Sequence, residues 1–122
     1  MKEIRKGKLF FITGLAVFVA TASLGAWAGK QFKAPKLATA GAPIEVTYSQ
    51  PMASAEGDRY WITIIDPAAA DSEWGAWVYV EDGATSTTLT APSTPGKYEI
   101  RLHDHYPKKP YHVLERASLL VQ

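Results

Sequence analysis

Cysteine is absent from this chain of 122 residues, and so are the common sequence signatures of catalysis. Without cysteine the protein has no disulfide framework, no cysteine-ligated zinc or iron–sulfur site and no thiol nucleophile. The chain also lacks the nucleophile elbow G-x-S-x-G, the zinc motif H-E-x-x-H, a Walker loop and the dinucleotide motif G-x-G-x-x-G. We therefore predict that the protein is not an enzyme and carries no cofactor.

Positive charge is scarce in the second part of the chain. Residues 37–122 contain six Lys or Arg against eleven Asp or Glu, whereas residues 1–36 contain seven basic residues against one acidic residue. Binding to nucleic acid requires clustered basic side chains on the folded domain, which excludes nucleic acid as a partner. A basic N-terminal part followed by an acidic remainder is typical of a chain that meets a membrane at its N-terminus.

The longest uncharged stretch runs from Leu9 to Ala28. As a helix, these twenty residues span about 30 Å, the thickness of the hydrocarbon core of a bilayer. We predict a basic cytoplasmic head at 1–8 and a transmembrane helix at 9–29. The slight excess of basic residues before the helix places the N-terminus in the cytoplasm and the C-terminal domain on the periplasmic or extracytoplasmic side of the inner membrane. The lipid bilayer is then one partner of the protein.

A cleaved signal peptide is the alternative interpretation of the same segment. Ala26, Trp27 and Ala28 fit the small-x-small cleavage pattern. The apolar run is longer than the roughly 7–15 residues of a signal-peptide core, which favours a retained anchor. Both interpretations place the C-terminal domain outside the cytoplasm.

Small residues recur along one stripe of the predicted helix. Thr21, Gly25 and Gly29 are spaced four residues apart, and Ala16 and Ala20 form a second pair of this kind. Small side chains allow another membrane helix to approach closely, so we predict a helix-packing face here. The same spacing also arises by chance, because small residues are common in membrane helices.

The remainder of the chain has the pattern of a small all-β domain. Residues 30–42 contain Pro35 and Gly41, show no periodicity and predict a linker with the aromatic Phe32 near the membrane surface. The domain at 43–122 contains six short strand-like runs separated by turn signals. These runs are 43–49, 59–66, 74–82, 85–91, 96–104 and 111–121. Alternation within them predicts a sandwich core made of Ile44, Val46, Tyr48, Tyr60, Ile62, Ile64, Leu89, Tyr98, Ile100, Leu102, Val113, Ala117, Leu119 and Val121.

The entry into the fifth run is the most informative local pattern. A Thr94-Pro95-Gly96 turn leads, after one residue, to Tyr98. In immunoglobulin-like sandwiches a tyrosine at such a point packs inward and bonds the backbone a few residues upstream, in a tyrosine corner. Tyr98 could also be only the first core residue of a strand.

Four motifs along 43–121 follow the order seen in a known type of module. They are Val46–Tyr48 with Pro51, Asp58–Ile64, Trp74–Tyr79 and Leu89–Arg101. Their pattern resembles SKICH-type immunoglobulin-like modules and the immunoglobulin-like modules of bacterial surface and von Willebrand factor A proteins. Thr63 departs from the eukaryotic modules, which usually have Gly there. The resemblance implies an immunoglobulin-like antiparallel β-sandwich with an interaction role and no catalytic residues.

The three histidines of the chain lie close to one predicted hairpin. His103 and His105 have the spacing of residues on one strand face, and a turn at 107–110 would bring His112 opposite His105 and Tyr111 opposite Tyr106. Three imidazoles on one face are candidate ligands for Zn²⁺ or Cu²⁺. A partner-contact patch and a solvated surface are the alternatives.

Aromatic residues exceed what the core of so small a sandwich can hold. The surplus consists of Trp61, Trp74, Trp77 and Tyr79. Of these, Trp77 and Tyr79 share a strand face. Exposed Trp and Tyr are typical of protein interfaces and of sugar-stacking surfaces.

We predict a non-catalytic accessory subunit of a larger membrane complex, with integral membrane proteins as partners. Its predicted contact residues are Trp61, Trp77, Tyr79, His103, His105 and His112. The alternatives are a membrane-tethered carbohydrate- or envelope-binding module and a histidine-based metal-binding domain.

Overall fold

The computed structural model describes residues 29–53 and 58–122, and this part of the chain is all-β, as the sequence predicts. Within it, no helix has the length and apolar character needed to cross a membrane. The predicted transmembrane segment and four of its packing residues (Ala16, Ala20, Thr21 and Gly25) lie outside the described residues. Gly29 is described, and it lies in a turn with a φ of +71°, which is not a helical conformation.

Two sheets contain all the strands of the described residues. The three-stranded sheet has the order β1-β3-β6 and the five-stranded sheet has the order β2-β8-β7-β4-β5, an arrangement compatible with a β-sandwich. All neighbouring strands are antiparallel except β2 and β8, which are parallel, in contrast to the purely antiparallel prediction. The strands are β1 (Phe32–Lys33), β2 (Leu37–Ala38), β3 (Pro43–Tyr48), β4 (Arg59–Ile65), β5 (Ala76–Val80), β6 (Ser86–Thr90), β7 (Gly96–Tyr106) and β8 (Val113–Val121).

The segment predicted as a linker contributes to both sheets. β1 pairs with β3 and β2 pairs with β8, so residues 30–42 pass from the edge of one sheet to the edge of the other. Phe32 is 1% exposed and belongs to the core, so its ring is not available for contact with a membrane surface. A two-residue strand is too short to show a periodicity of two, and for that reason the pattern predicted irregular chain.

The core lies between the sheets and follows the alternation of the sequence. On β3 the side chains alternate strictly between buried and exposed. Most predicted core residues are buried, whereas Tyr60, Tyr98, Val113 and Ala117 are only partly buried. Each fully buried aliphatic side chain contributes about 1.5–3 kcal/mol relative to exposure. The buried members of the prediction are Ile44, Val46, Tyr48, Ile62, Ile64, Leu89, Ile100, Leu102, Leu119 and Val121.

The outer face of the five-stranded sheet is also buried at its central strands, β4 and β7. On β4, Trp61 and Thr63 are buried in addition to Ile62 and Ile64, and they point to the side opposite the core. Two loops of the described chain provide this cover, the β4–β5 loop (residues 66–75) and the β7–β8 loop (residues 107–112). The outer face is therefore a second packed layer.

The tyrosine corner at the start of β7 is confirmed. The Tyr98 hydroxyl donates a hydrogen bond of 2.7 Å to the backbone carbonyl of Thr94. Gly96 has a φ of +154°, a conformation that side chains rarely adopt, so glycine is required for this turn. The bond fixes the turn before β7 to the strand that follows.

Replacing Tyr98 with Phe removes only this hydroxyl. We expect the free energy of unfolding of residues 29–122 to fall by about 1 kcal/mol, the net contribution of one hydrogen bond. Urea denaturation followed by tryptophan fluorescence measures the change. Thr94→Ala is the control, because it keeps the acceptor carbonyl and should leave the midpoint nearly unchanged. Equal midpoints for wild type and Tyr98→Phe would show that the bond contributes nothing.

Phe32→Ala tests the assignment of the predicted linker to the domain. Loss of a fully buried phenyl ring typically costs 3–5 kcal/mol. We therefore expect a large decrease in the unfolding free energy of residues 29–122, and the segment 43–122 alone should be less stable still. Lys97→Ala, at an exposed position near the start of β7, is the control. A small effect of Phe32→Ala would return the segment to the role of a linker.

Candidate functional site

Arg101 is a fully buried cation on the outer face of the five-stranded sheet. Its Nη1 donates to the carbonyl of Ala70 at 3.0 Å, and its Nη2 donates to the carbonyls of Ala69 at 2.8 Å and Pro67 at 3.3 Å. Its Nε donates to Glu99 Oε1 at 2.8 Å, which pairs the charge. A buried guanidinium persists only when its donors are satisfied in this way. The result is that β7 holds the β4–β5 loop against the sheet.

Arg116 on β8 completes the ionic network. It donates to Asp71 Oδ1 at 2.8 Å and to Glu99 Oε1 at 3.2 Å, while Arg101 Nη1 lies 3.9 Å from the same Asp71 oxygen. The hydrogen bond from Arg116 is the main reason that the pKa of Asp71 lies below its ordinary value. Two cations and two anions thus tie the β4–β5 loop to both β7 and β8.

The end of this loop approaches the backbone of β4 closely. The Gly75 amide donates to Thr63 Oγ1 at 3.0 Å, and the Thr63 hydroxyl donates to the carbonyl of Ala76 at 2.8 Å. A Cβ at Gly75 would lie 2.3 Å from the carbonyl oxygen of Ile64, so only glycine fits. This contact fixes the position of the neighbouring residue, Trp74.

An aromatic pocket of about 170 Å³ opens beside this loop. Its floor is Trp61, which is 6% exposed and donates from Nε1 to the carbonyl of Pro110 at 3.2 Å. Its rim is exposed: Trp74 is 50%, Trp77 is 43% and Tyr111 is 42% accessible to solvent. The aromatic pocket is lined by Trp61, Trp74, Trp77, Tyr79, Tyr106, Pro110 and Tyr111.

Ring contacts organise the aromatic pocket. The rings of Trp74 and Tyr111 are nearly parallel, with 6.1 Å between centroids, and so connect the two loops. Trp77 meets Tyr79 edge to face at 4.9 Å and Trp61 at 6.1 Å. Edge-to-face pairs contribute about 0.5–1.5 kcal/mol beyond the area that they bury. The pocket is therefore held in shape by its own side chains.

The predicted aromatic contact residues come together in this pocket. Trp77 and Tyr79 do share a strand face, and Trp61 pairs across from Tyr79 on the neighbouring strand. Trp61 is floor rather than rim, because the β7–β8 loop covers it. Trp74 and Tyr111 were not among the predicted contact residues although both are exposed, since their positions depend on loop conformations that no periodic pattern encodes.

His103 is fully buried and does not lie with the other two histidines. Its ring stacks on Trp61 with 3.9 Å between centroids and 11° between planes. Within the described residues neither ring nitrogen makes a hydrogen bond of good geometry, although the carbonyl of His112 is close enough to oppose part of the pKa shift. Burial, and next the charge of Arg101, lower the pKa of His103 from 6.5 to about 4. The three-histidine face is thus wrong for His103, because its strand face is covered by Trp61 and the β7–β8 loop.

His105 and His112 instead meet at Asp104. His112 Nδ1 lies 2.5 Å from Asp104 Oδ1, and His105 Nδ1 lies 3.0 Å from Asp104 Oδ2. Burial alone would raise the pKa of Asp104, but the hydrogen bonds from His112 and His105 outweigh it and hold the pKa below its ordinary value. We call this group the Asp104 cluster.

The geometry of β7 explains why the sequence did not predict the Asp104 cluster. Neighbouring residues of a strand point to opposite faces, so alternation separates Asp104 from His105. His105 has a φ of +60°, which interrupts this alternation. The register of β7 and β8 also shifts after Leu102, and Tyr106 lies opposite Arg59 of β4 rather than opposite Tyr111.

Comparison with known proteins adds no assignment to this geometry. No protein-family model matches the chain, and no curated protein matches it in sequence. The candidate functional sites are therefore two features of the described structure, the aromatic pocket and the Asp104 cluster.

His103 makes the stability of the domain depend on pH. Its pKa is 6.5 in the unfolded chain and about 4 in the fold, so the unfolded state binds more protons between these values. Stability should therefore fall as the pH decreases from 6.5 to 4, by about 3 kcal/mol from this group alone. Urea midpoints of residues 29–122 at pH 7.5 and pH 4.5 measure the loss.

His103→Phe is the variant that isolates this contribution. A phenyl ring can stack on Trp61 but does not titrate, so the loss of stability between pH 7.5 and pH 4.5 should be smaller than in wild type. The same loss in both proteins would show that His103 is protonated as easily in the fold as in the unfolded chain.

Proposed function

We propose that the protein is a non-catalytic accessory subunit of a membrane protein complex. In this proposal the segment at 9–29 anchors the chain in the bilayer, and an immunoglobulin-like domain outside the cytoplasm contacts integral membrane partners through the aromatic pocket. The observation that carries the proposal is the exposure of Trp74, Trp77 and Tyr111 around a preformed apolar pocket.

The strand topology supports the immunoglobulin-like part of the proposal. In immunoglobulin-like sandwiches strands B and E lie in one sheet, and strands C, F and G lie in the other. With β3 as B, β4 as C, β6 as E, β7 as F and β8 as G, the observed sheet orders agree with this plan, and β5 extends the second sheet beside C. Tyr98 at the start of β7 also has the place of the tyrosine corner between E and F. These features favour the resemblance to SKICH-type and bacterial immunoglobulin-like modules.

The exposed aromatic rim supports a role in protein contact. Tryptophan and tyrosine are enriched among the residues that dominate binding energy at interfaces, where truncation often costs 2 kcal/mol or more. Their two χ angles lose little entropy on binding. Because Trp74 is held by the β4–β5 loop and Trp77 by β5, a partner would meet a surface that needs little reordering.

The composition of the pocket favours a protein partner over a glycan. A sugar site needs polar groups that fix the orientation of hydroxyls. The side-chain polar groups of the lining are tyrosine hydroxyls and indole N–H groups, and Trp61 Nε1 already donates to Pro110. Within the described residues, the lining has no carboxylate, amide or basic side chain that could bind two hydroxyls of a sugar at once. An apolar side chain of a partner protein fits this lining better. A carbohydrate- or envelope-binding module remains the alternative function.

The predicted anchor supplies the second contact. One helix contact within lipid contributes little net free energy, because lipid competes for the same surface. Once the helix face that carries Thr21 and Gly25 is docked, tethering presents the domain to its site at a high effective concentration. Two weak contacts then hold the subunit firmly.

Trp77→Ala in the full chain tests the docking surface. We expect weaker co-purification with integral membrane proteins in mild detergent, because an anchor side chain of the interface is lost. Gly25→Leu should weaken it too, and the double variant should abolish it. Quantitative mass spectrometry of the purified complexes measures the change. Leu120→Ala is the matched control, since Leu120 is an exposed apolar side chain on β8 and is not part of the pocket lining.

Two outcomes would contradict this assignment. Unchanged co-purification of a folded double variant would show that both contact faces are misassigned. Binding of wild type to a glycan array, with its loss in Trp74→Ala and Trp77→Ala, would assign the pocket to the carbohydrate alternative.

A further inference from the structure

The Asp104 cluster brings two imidazoles and one carboxylate to a single point. All three ligand atoms lie within 4.8 Å of one another. Asp104 is at the end of β7 with a side chain that is only 9% exposed, whereas the side chains of His105 and His112 are 49% and 51% exposed. The site therefore has a fixed anion at its base and two accessible nitrogen donors above it.

The backbone directs both imidazoles toward the same carboxylate. His105 is in the left-handed region with a φ of +60°, and its carbonyl accepts a hydrogen bond from the Lys109 amide at 2.7 Å. On the other side of the hairpin the Asp104 amide donates to the carbonyl of His112. These contacts hold the three residues in place, independently of the aromatic pocket.

We propose that Asp104, His105 and His112 form a binding site for one divalent late transition-metal ion of the Zn²⁺ or Cu²⁺ type. Imidazole nitrogen and carboxylate oxygen bind Zn²⁺ at about 2.0–2.2 Å, which corresponds to ligand separations of about 3.4 Å in a tetrahedral site. The observed separations of 2.5 and 3.0 Å between Asp104 oxygens and the histidine Nδ1 atoms become such separations after small side-chain rotations. His103 is not a ligand, because its ring is buried against Trp61.

The chemistry of the donors determines which ions the site takes. Two nitrogens and one oxygen favour Zn²⁺ or Cu²⁺, whereas Mg²⁺ prefers oxygen ligands and retains its water. Three protein ligands leave a coordination position for water or for a group from a partner. The Asp104 carboxylate lies beside both imidazoles and supplies a negative charge, which suits a cation.

The bound ion would link the two ends of the β7–β8 loop. His105 lies just before the loop and His112 is its last residue, so an ion between them joins both ends of the segment that carries Pro110 and Tyr111. An ion that binds the folded state and not the unfolded chain stabilises the fold by mass action. Thermal unfolding therefore provides a second measurement of binding.

The test uses the full chain purified in mild detergent without a polyhistidine tag. Titration with ZnCl₂ in a calorimeter should show one ion per chain, and Zn²⁺ should raise the midpoint of thermal unfolding while MgCl₂ does neither. The Cu²⁺ complex should show nitrogen coupling from two imidazoles by electron paramagnetic resonance. No saturable Zn²⁺ binding below about 1 mM would overturn the proposal.

Two conservative variants assign the ligands. His105→Asn suits the left-handed conformation, and His112→Gln keeps a hydrogen-bond donor near Asp104, so both should fold. Each should weaken Zn²⁺ binding at least about tenfold, and the Cu²⁺ spectrum should lose one nitrogen. His103→Phe is the matched control and should bind as wild type does. Undiminished binding by His105→Asn and His112→Gln, or loss of binding in His103→Phe alone, would overturn this ligand set. These metal-binding results do not depend on docking at the aromatic pocket, which Trp77→Ala tests separately.

Discussion

The burial of the Arg101 guanidinium is the constraint on which the outer face of this domain depends. A guanidinium has five N–H donors and cannot lose its charge inside a protein, so it must be surrounded by acceptors. Here the acceptors are three backbone carbonyls of the β4–β5 loop and the Glu99 carboxylate. The loop is therefore held to the sheet by the requirement to satisfy Arg101, and Arg116 strengthens the attachment through Asp71.

The same outer layer supports both candidate sites. The β4–β5 loop presents Trp74 and the β7–β8 loop presents Tyr111, whose nearly parallel rings bring the two loops together at the aromatic pocket. The Asp104 cluster encloses the β7–β8 loop at its base. The proposed interaction surface and the proposed metal site thus share one short loop, although each is supported by different contacts. This arrangement uses the sandwich as a rigid support and places function on its loops.

The sequence predicts those parts of the fold in which apolar and polar residues alternate along a strand. Ile44, Val46 and Tyr48 alternate with polar residues, so the strand and its buried face follow directly from the pattern. Tyr98 follows a proline–glycine turn, and this pattern predicts the hydrogen bond from its hydroxyl to the backbone upstream. Arg101 and His103 also alternate with core residues, and a polar residue in such a position predicts exposure. Both are buried, because two loops pack over the outer face of the sheet. The periodicity of the strand sequence does not indicate this packing.

Amide hydrogen exchange in Arg101→Lys tests whether the buried guanidinium holds the β4–β5 loop to the sheet. Lysine keeps the charge but has three donors without the planar fork, so it cannot serve three carbonyls and Glu99 together. We expect the amides of Ala69, Glu73 and Gly75, which are hydrogen-bonded within or beside the loop, to exchange at least about tenfold faster than in wild type. The amide of Tyr48, in the other sheet, should exchange at its wild-type rate. Wild-type protection of the loop amides in Arg101→Lys would show that the loop is held by something other than the buried guanidinium.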